Sequence, residues 1–549
     1  MSANHAIPFS IDAAETAPVL KPQQAAPEDY YQNNFIEIFH FVVDHYDQIM
    51  PKALSISLAS FLGASSDAQR LFCRLLTRKG PHFFEQKLVY AEVSDKAKAL
   101  PELAFSGLIG RNTSIRADWL LNHLTKADLL SLFPQVNILP GSPKVELVDK
   151  ILGQYSDQRI RVKISRVHHW CSITSPKHWH LVQLLYFGNT SLDWSAHVRR
   201  DLGQVRYESV ELIRSRFTSV ENLADYLHER LLIDRMSRLN EHPKMLPGLL
   251  AAVAEKPRDP LALRLRRRTL LRLGKWCEQN EKWPEALVSY QRAEIPPARE
   301  RRVRIYHRQG DFVASQSLLR EITTEPLSST ELIFSQRFGH RGKGFQPPTT
   351  TWQIEQVPVS VEQYVLEALL VKGGWGIHCE NALIKMLTGL LYWDAIFAPI
   401  PGAFTNPFQA APHDLMEHEF ASSRLSLLQD IEENTAQDLA LTQHLSSIAT
   451  SKRGIANPLV HWRLLDAVPV QDWLEAIPAE TLRSLCRFLI RNLRDYRKGF
   501  PDLFIYQPDG GMEFVEVKGP SDQLQPQQRA WFQVFDEMGI RARIIKLKL

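Results

Sequence analysis

Residues 501–549 read PDLFIYQPDGGMEFVEVKGPSDQLQPQQRAWFQVFDEMGIRARIIKLKL. Two short apolar runs, LFIY after Asp502 and MEFVEVK ending at Lys518, flank Pro508-Asp509-Gly510-Gly511. Strand-prone runs on either side of a Pro/Gly turn predict an antiparallel hairpin. A helix from about Pro526 to Met538 and a last strand, RARIIKLKL, should follow. Such a strand–helix–strand end predicts a small α/β domain.

The hairpin arithmetic places chemistry on it. With the turn centred on residues 509–510, Asp502 falls opposite positions 516–518, where opposed Cβ atoms lie about 5 Å apart. Glu516 and Lys518, two residues apart on one strand, project from one face. Asp502 joins them if the register puts it on that face; a slip of one residue would send it to the other. Adjacent carboxylates on an apolar hairpin repel and lose hydration, a cost that structure alone seldom offsets. A hard divalent cation, Mg²⁺ or Mn²⁺, removes that conflict, because such ions favour carboxylate and carbonyl oxygens. The main-chain oxygen of Val517 would complete the ligand set. Lys518 then fits as the group that orients or deprotonates the attacking water, or steadies the phosphate. The plain alternative is a surface Glu/Lys pair on an edge strand.

Pro501-Asp502…Glu516-Val517-Lys518 resembles the PD-(D/E)xK nuclease superfamily. More narrowly, EVKGPSDQLQPQQRAWF is similar to the VRR-Nuc domain, whose pattern is EVKGPxDxLxxxQxxW. In that family the glutamine matched by Gln528 faces the metal site from the helix. Upstream, GGWGIHCENALIKMLTGLLYWDAIF and FTNPFQAAPHDL resemble the Fanconi-associated nuclease family, as do YYQNNFIEIFHFV and RLFCRLLTRKGPHF near the start. The resemblance implies Glu380 as a further acidic metal ligand. It sits near a predicted helix start, on one face with Leu383, Leu387 and Asp394; interaction with the helix dipole is the other reading. Relatives carry HGEG where this chain has His378-Cys379-Glu380-Asn381, and His378 is expected to serve the helix start rather than a metal. Arg272 stands before Trp283 where the family has an arginine for a terminal 5′ phosphate. Gln527 replaces a residue that is often basic in the family.

The rest of the chain reads as helical modules. Residues 1–27, rich in Ala and Pro, have no basic stretch or apolar run of a signal peptide, so a disordered tail is expected. An N-terminal helical domain over 28–117 includes Phe35, Ile38, Phe39, Val42 and Val43 at helical spacing. Over 118–155, LLNHLTKADLLSLF, a Pro140–Pro143 turn and KVELVDKIL resemble a SAP-type DNA-binding module; a structural hairpin is the alternative. Residues 156–216 form a small mixed segment with a β-like run, RIRVKI. Over 217–340, EKWPEALVSYQRA and GDFVASQSLLREI place Trp283 and Phe312 29 residues apart, each followed by a small residue, Ala286 and Ser315. This resembles tetratricopeptide-like helical repeats. A glycine-rich stretch near 340 opens the nuclease domain, 341–549, in which Ser360 and Gln363 suggest a capping box ahead of a helix stopping at Gly373-Gly374. A second helix should run from Cys379 to Phe397. The fold class expected is mainly α and multidomain, with helical N-terminal modules, a SAP-like module and TPR-like repeats, ending in an α/β domain of restriction-endonuclease type.

Charge distribution points to a polyanion. Net charge is +4, yet residues 258–308 hold 14 Lys/Arg against 6 Asp/Glu, a local +8 that leaves −4 elsewhere. Such a concentration fits nucleic acid, or else a solvated basic helix face. Arg268 and Arg272 belong to an exposed set here with Arg264, Arg266, Arg267, Arg299, Arg301, Arg302 and Arg304. Arg483, Arg487, Arg491 and Arg494 make a second stripe leading to the hairpin, with Arg487 and Arg491 as candidate phosphate contacts. The five dispersed cysteines support neither a zinc ribbon nor a disulfide framework. No apolar run is long enough to span a bilayer, and a cytoplasmic, bacterial-type location is expected. The resemblance implies a nuclease acting at branched and duplex DNA, cutting near 5′ flaps and trimming 5′ to 3′ in interstrand crosslink repair. A Holliday-junction resolvase and a non-catalytic DNA-binding scaffold are the alternatives.

Overall fold

The computed structural model describes residues 5–7, 30–139, 141–188, 194, 205–212, 215–339, 345–370, 374–417, 419–508 and 511–549. Its strands among these residues are β1 (His5–Ile7), β2 (His82–Phe84), β3 (Ile109–Arg111), β4 (Trp170–Ile173), β5 (Thr349–Gln353), β6 (Trp375–His378), β7 (Leu503–Gln507), β8 (Gly511–Lys518) and β9 (Ala542–Lys548). The chain divides into two compact units, one of residues 22–203 and one of residues 1–21 with 204–549.

The first unit is helical around a small antiparallel sheet, β2-β4-β3. The helix Tyr30–Tyr46 buries Phe35, Ile38, Phe39 and Val42. Phe39 meets the rings of Phe61 and Trp179. Trp170 and Trp179 of the 156–216 segment are both core residues. Two sequence expectations are corrected here. RIRVKI lies in a helix, Asp157–Ser165, capped by Ser156. Its buried residues are Ile160 and Ile164, four apart, while Val162 is 48% exposed, so the period is helical rather than alternating. LLNHLTKADLLSLF is two helices, Ala117–His123 and Lys126–Leu132. Thr125 and Asp128 form a capping box that starts the second and breaks the run.

In the second unit, helices Pro260–Gln279, Trp283–Ala293, Ala298–Arg308, Phe312–Thr324 and Ser329–Arg337 each pack on the next. Ala286 and Ser315, the small residues after Trp283 and Phe312, are buried at these helix contacts. Downstream lies a six-stranded sheet of order β1-β6-β7-β8-β9-β5. Residues 5–7 of the expected tail therefore form an edge strand, parallel to β6; the remainder of 1–27 lies outside the described residues. Ser360 caps the helix Val361–Leu369, but the Gln363 amide bonds Glu367 instead of returning to the cap. That helix ends at Leu369, ahead of the glycine pair, of which Gly373 lies outside the described residues. The predicted Cys379–Phe397 helix is Glu380–Leu391 with a short turn, Trp393–Ile396, beyond it. The break at Tyr392 leaves Asp394 exposed, off the face of Leu383 and Leu387.

The sheet has two covered faces. Leu503, Ile505, Val515 and Val517 pack with Val365 and Leu366 of the Val361–Leu369 helix. Phe504, Met512 and Phe514 face the opposite way, into a large core with Trp531 and Phe535 of the helix Pro526–Glu537. Phe500 stacks edge-on to Phe514 and Trp531, at 4.8 and 4.9 Å between centroids. That aromatic anchor fixes the chain just before Pro501-Asp502. Gly499, at φ +90°, is required there, because a Cβ would lie 2.6 Å from the Gln527 carbonyl carbon. No helix among the described residues is long and apolar enough to cross a membrane.

Candidate active site

The hairpin register decides which side chains meet. β7 and β8 pair antiparallel with Leu503 opposite Val515 and Gln507 opposite Gly511, so Asp502 continues the ladder opposite Glu516. Side-chain direction alternates along a strand. Asp502 thus shares a face with Phe504, and Glu516 and Lys518 with Phe514. All three project from the large-core side, at the end of the hairpin away from its turn.

β6 brings a fourth group. It runs antiparallel to β7, with His378 opposite Leu503, and leads straight into the Glu380 helix. The Asp502 carbonyl accepts both the Cys379 and the Glu380 N–H, at 2.9 and 3.0 Å. Glu380 is held at φ +38°, a left-handed conformation that a side chain with a Cβ rarely adopts. Strain of this kind costs on the order of 1–3 kcal/mol and persists only where the surroundings impose it. Asn381, which stands where relatives carry the last glycine of HGEG, accepts the Phe500 N–H at 3.0 Å and ties the helix start to the Asp502 loop.

The carboxylates differ in burial: Glu380 and Asp502 are partly exposed, and Glu516 is enclosed and incompletely partnered. Glu516 is fully buried. Its Oε1 accepts from Lys518 Nζ at 2.7 Å and from Gln528 Nε2, whereas Oε2 has no hydrogen-bond partner. Asp502 Oδ2 accepts the Val517 N–H at 2.8 Å. Burial, and then the Asp502 charge, push the Glu516 carboxyl well above the usual range in spite of Lys518. Burial likewise raises Asp502, with Glu380 adding repulsion. Glu380 moves the other way, held down chiefly by His378. Burial would lower His378, but Glu380 and Asp502 outweigh it and raise the imidazole.

His378, Glu380 and Asp502 can each offer a ligand atom within 4.8 Å of the other two. His378 Nε2 is buried and stands 3.8 Å from Glu380 Oε1, within ion-pair range but too long for a hydrogen bond. Two buried polar atoms without a hydrogen bond, His378 Nε2 and Glu516 Oε2, beside two carboxylates each raised by a neighbouring carboxylate, are the signature of a place for a cation. The donor set, mostly carboxylate oxygen, fits a hard divalent ion.

The residues singled out in the sequence separate into two groups. Asp502, Glu516, Lys518, Val517, Glu380 and Gln528 lie together. Gln528 both caps its helix, accepting the Gln525 N–H at 2.9 Å, and holds Glu516. His378, read in the sequence as a helix-start residue, belongs to the closest-knit acid group; its place two residues before Glu380 at a strand end was the available signal. The basic stripes look different. Among the nine arginines expected to be exposed around 264–304, Arg264, Arg266, Arg267, Arg299, Arg301 and Arg304 pair with carboxylates, and Arg266 is buried. Several partners, Glu229, Glu331 and Glu417, lie outside the segment whose charge was counted, and so went unseen. Arg268 and Arg272 are exposed, in no ion pair among the described residues. Arg483 pairs with Asp438 and Glu480, and Arg487 and Arg491 share Glu432, so that stripe is largely neutralised.

A family model described as the VRR-NUC domain matches residues 437–548, and one described as the FAN1 HTH domain matches residues 29–110. The Fanconi-associated nuclease 1 homolog of Pseudomonas aeruginosa is 30% identical, over 94% of this chain and 95% of its own length. A homolog of the same name from Oryza sativa subsp. japonica is 26% identical, over 94% of this chain and 62% of its own. The crystal structure of paFAN1 bound to 5′-flap DNA with a two-nucleotide flap and a gap superposes with a TM-score of 0.84 at 28% identity, covering 96% of this chain and 99% of that one. A second, with a one-nucleotide flap, gives 0.81 over 95% and 99%.

Proposed function

The chain belongs to the Fanconi-associated nuclease family, and on that premise we propose how its own residues cut DNA. It is a structure-selective nuclease of 5′-flap DNA. Its place in the repair of interstrand crosslinks follows from the family. Trimming from 5′ to 3′ is part of the same proposal.

The observation that carries the assignment of residues is the acid cluster: three carboxylates, one of them fully buried, and an imidazole on one sheet end, with two buried polar atoms lacking a hydrogen bond. Glu380, Asp502 and Glu516, with the Val517 main chain, would hold a divalent ion, and His378 stands close enough to join them. A family nuclease domain implies such an ion, and carboxylate-rich ligands favour Mg²⁺ or Mn²⁺. When bound, the ion polarises the scissile phosphate and lowers the pKa of a water. The protein's residues do the remainder. Lys518 stands 2.7 Å from Glu516, placed to orient or accept a proton from the attacking water and to face the charge that grows on the phosphate. Gln528 keeps Glu516 in one rotamer, and the Val517 N–H does the same for Asp502. The strained turn at Glu380 aims its carboxylate at Asp502.

Upstream, residues 28–117 and 118–155 serve as a helical domain and a SAP-like module, and 217–340 as TPR-like repeats that bind duplex arms through phosphates, which position without reading sequence. Residues 156–216 and 341–549 are the small mixed segment and the nuclease domain. A resolvase would need a symmetric arrangement to make paired cuts.

The test compares labelled 5′-flap, Holliday-junction and plain duplex DNA with Mn²⁺, Mg²⁺ or EDTA, using the wild type and Asp502→Asn. Metal-dependent cutting next to the flap, lost by at least about a thousandfold in the variant, is expected. Paired symmetric cuts in the junction would show a resolvase, and binding without metal-dependent cutting would show a scaffold.

A further inference from the structure

One face of the Glu380 helix carries Asn381, Lys385 and Gly389 at successive turns. At one end, Asn381 holds the Phe500 N–H, so the 497–500 loop lies against the helix. At the other, a Cβ on Gly389 would lie 2.8 Å from Leu459 Cβ and Val460 Cγ2, so the chain just before His461 lies equally close. Lys385 lies on the same helix face midway between these two points and is half-buried.

Three cations and an imidazole gather there, the imidazole held below its usual range by burial and then by Lys385. Arg497 and Lys498 come from the loop, His461 from the other segment, and all three act electrostatically on Lys385 or it on them. Arg497 Nη1 is spent on the Arg494 carbonyl, at 3.1 Å, and on Met416 Sδ, at 3.9 Å. None of Lys385, Arg497, Lys498 and His461 is in an ion pair among the described residues, and Glu380 is the one acid acting on Lys385. Burial, with Arg497 and Lys498 beside it, lowers Lys385 from the ordinary lysine range. The fold therefore gathers like charges, answered in part by Glu380, little more than one helical turn from the acid site. An anion offsets that cost, just as a cation offsets the cost of the carboxylates.

We propose that Lys385, Arg497, Lys498 and His461 form a seat for one internucleotide phosphate of the cut strand, next to the phosphate attacked at Asp502 and Glu516. This rests on the nuclease reading above. The seat fixes where along the strand the scissile bond falls relative to the metal site. Lys385 is a positioning residue in this arrangement, since it stands beside the reacting atoms rather than on them.

The test measures binding of 5′-flap DNA in EDTA, so that no cutting occurs, over a series of salt concentrations. One neutralised phosphate contact should lower the slope of log K against log[salt] by roughly 0.7–0.9, which is a roughly 5- to 8-fold loss of affinity at 0.1 M salt. Lys385→Met and the exposed Lys498→Met should each move toward that value, with melting temperature unchanged or higher because repulsion is relieved. A neutral methylphosphonate within two nucleotides of the cut bond should weaken the wild type and not the Lys385→Met/Lys498→Met pair. Unchanged slopes in both single variants would overturn the proposal, as would a methylphosphonate effect of equal size in the wild type and the pair. Lys498→Met keeps the question open to refutation if Lys385→Met fails to fold. Should the wild type itself fail to bind flap DNA, the nuclease reading would fall instead.

Discussion

The basic helices of residues 260–337 and the acid site of the sheet end treat charge in opposite ways. In the helices, Arg266 is 4% exposed and meets a fully buried Glu229 through two parallel hydrogen bonds, with the Glu255 carbonyl taking a third. Arg299 meets Glu331 and Glu321, and Arg301 meets Glu278. In the sheet, Glu516 and Asp502 are driven against one another and one Glu516 oxygen bonds nothing. A charge whose partner the fold supplies is a strut. A charge whose partner the fold withholds marks a place for something that arrives from outside. Composition cannot separate the two: six of the nine arginines expected to be exposed in the segment of local charge +8 are paired with carboxylates.

The largest effect that could break this contrast is on the strut. Glu229→Gln leaves the buried Arg266 guanidinium without its anion, and losing one member of a buried pair costs about 3–5 kcal/mol. Chemical denaturation of the full chain should show that loss. The double change Glu229→Met/Arg266→Leu should recover most of it, because removing both charges leaves no orphan. A single variant within 1 kcal/mol of the wild type would mean that the pair is no strut.

A smaller effect of opposite sign is expected at the acid site. Glu516 has its pKa raised in the folded, metal-free protein by burial and by Asp502. From the ordinary carboxylate range, about 4, upward, the native state then binds more protons than the unfolded chain. Metal-free stability is therefore fully present at low pH and is lost as pH rises through that raised value. Glu516→Gln removes the penalty, so the metal-free variant should melt on the order of 2–4 °C above the wild type at pH 8 and level with it at pH 5. Adding Mn²⁺ should reverse the order at pH 8 by stabilising the wild type alone. A variant that melts lower at pH 8 without metal would show that the Lys518 pair outweighs burial.

Those two regions also differ in how far they could be read from the sequence. Much of the acid hairpin was legible because its information is local: a turn, alternating residues and a two-residue spacing put Glu516 and Lys518 on one face, while the face of Asp502 follows from the register of β7 on β8. The Glu380 helix was legible for the same reason. What escaped was set by distant partners. Glu229 lies 37 residues from Arg266, and no local pattern links them. The strand β1 exists only by pairing with β6, far along the chain. RIRVKI alternates apolar and basic residues as a strand does, yet Ser156 and the Ile160/Ile164 pair turn it into a helix once a core lies on one side. His378 carries no motif of its own. Its place in the acid group follows from the register of β6 on β7.

The smallest predicted effect tests whether any of the basic helical surface belongs to DNA. Arg268 and Arg272 lie one turn apart on Pro260–Gln279, exposed and in no ion pair among the described residues. Arg304, by contrast, is committed to Glu300 one turn away, at 3.0 Å. Surface pairs of that sort contribute about 0.3–0.5 kcal/mol. Arg272→Gln and Arg268→Gln should leave the melting temperature unchanged and each lower the salt slope of flap-DNA binding by about 1. Arg304→Gln should leave that slope alone, since its charge is already answered by Glu300. If Arg304→Gln lowers the slope as much as Arg272→Gln does, then an internal partner does not disqualify an arginine from meeting DNA. The division between struts and open charges would then hold for buried groups such as Arg266 and Glu516, where desolvation makes an exchange of partners costly, and not for the surface, where water makes it cheap.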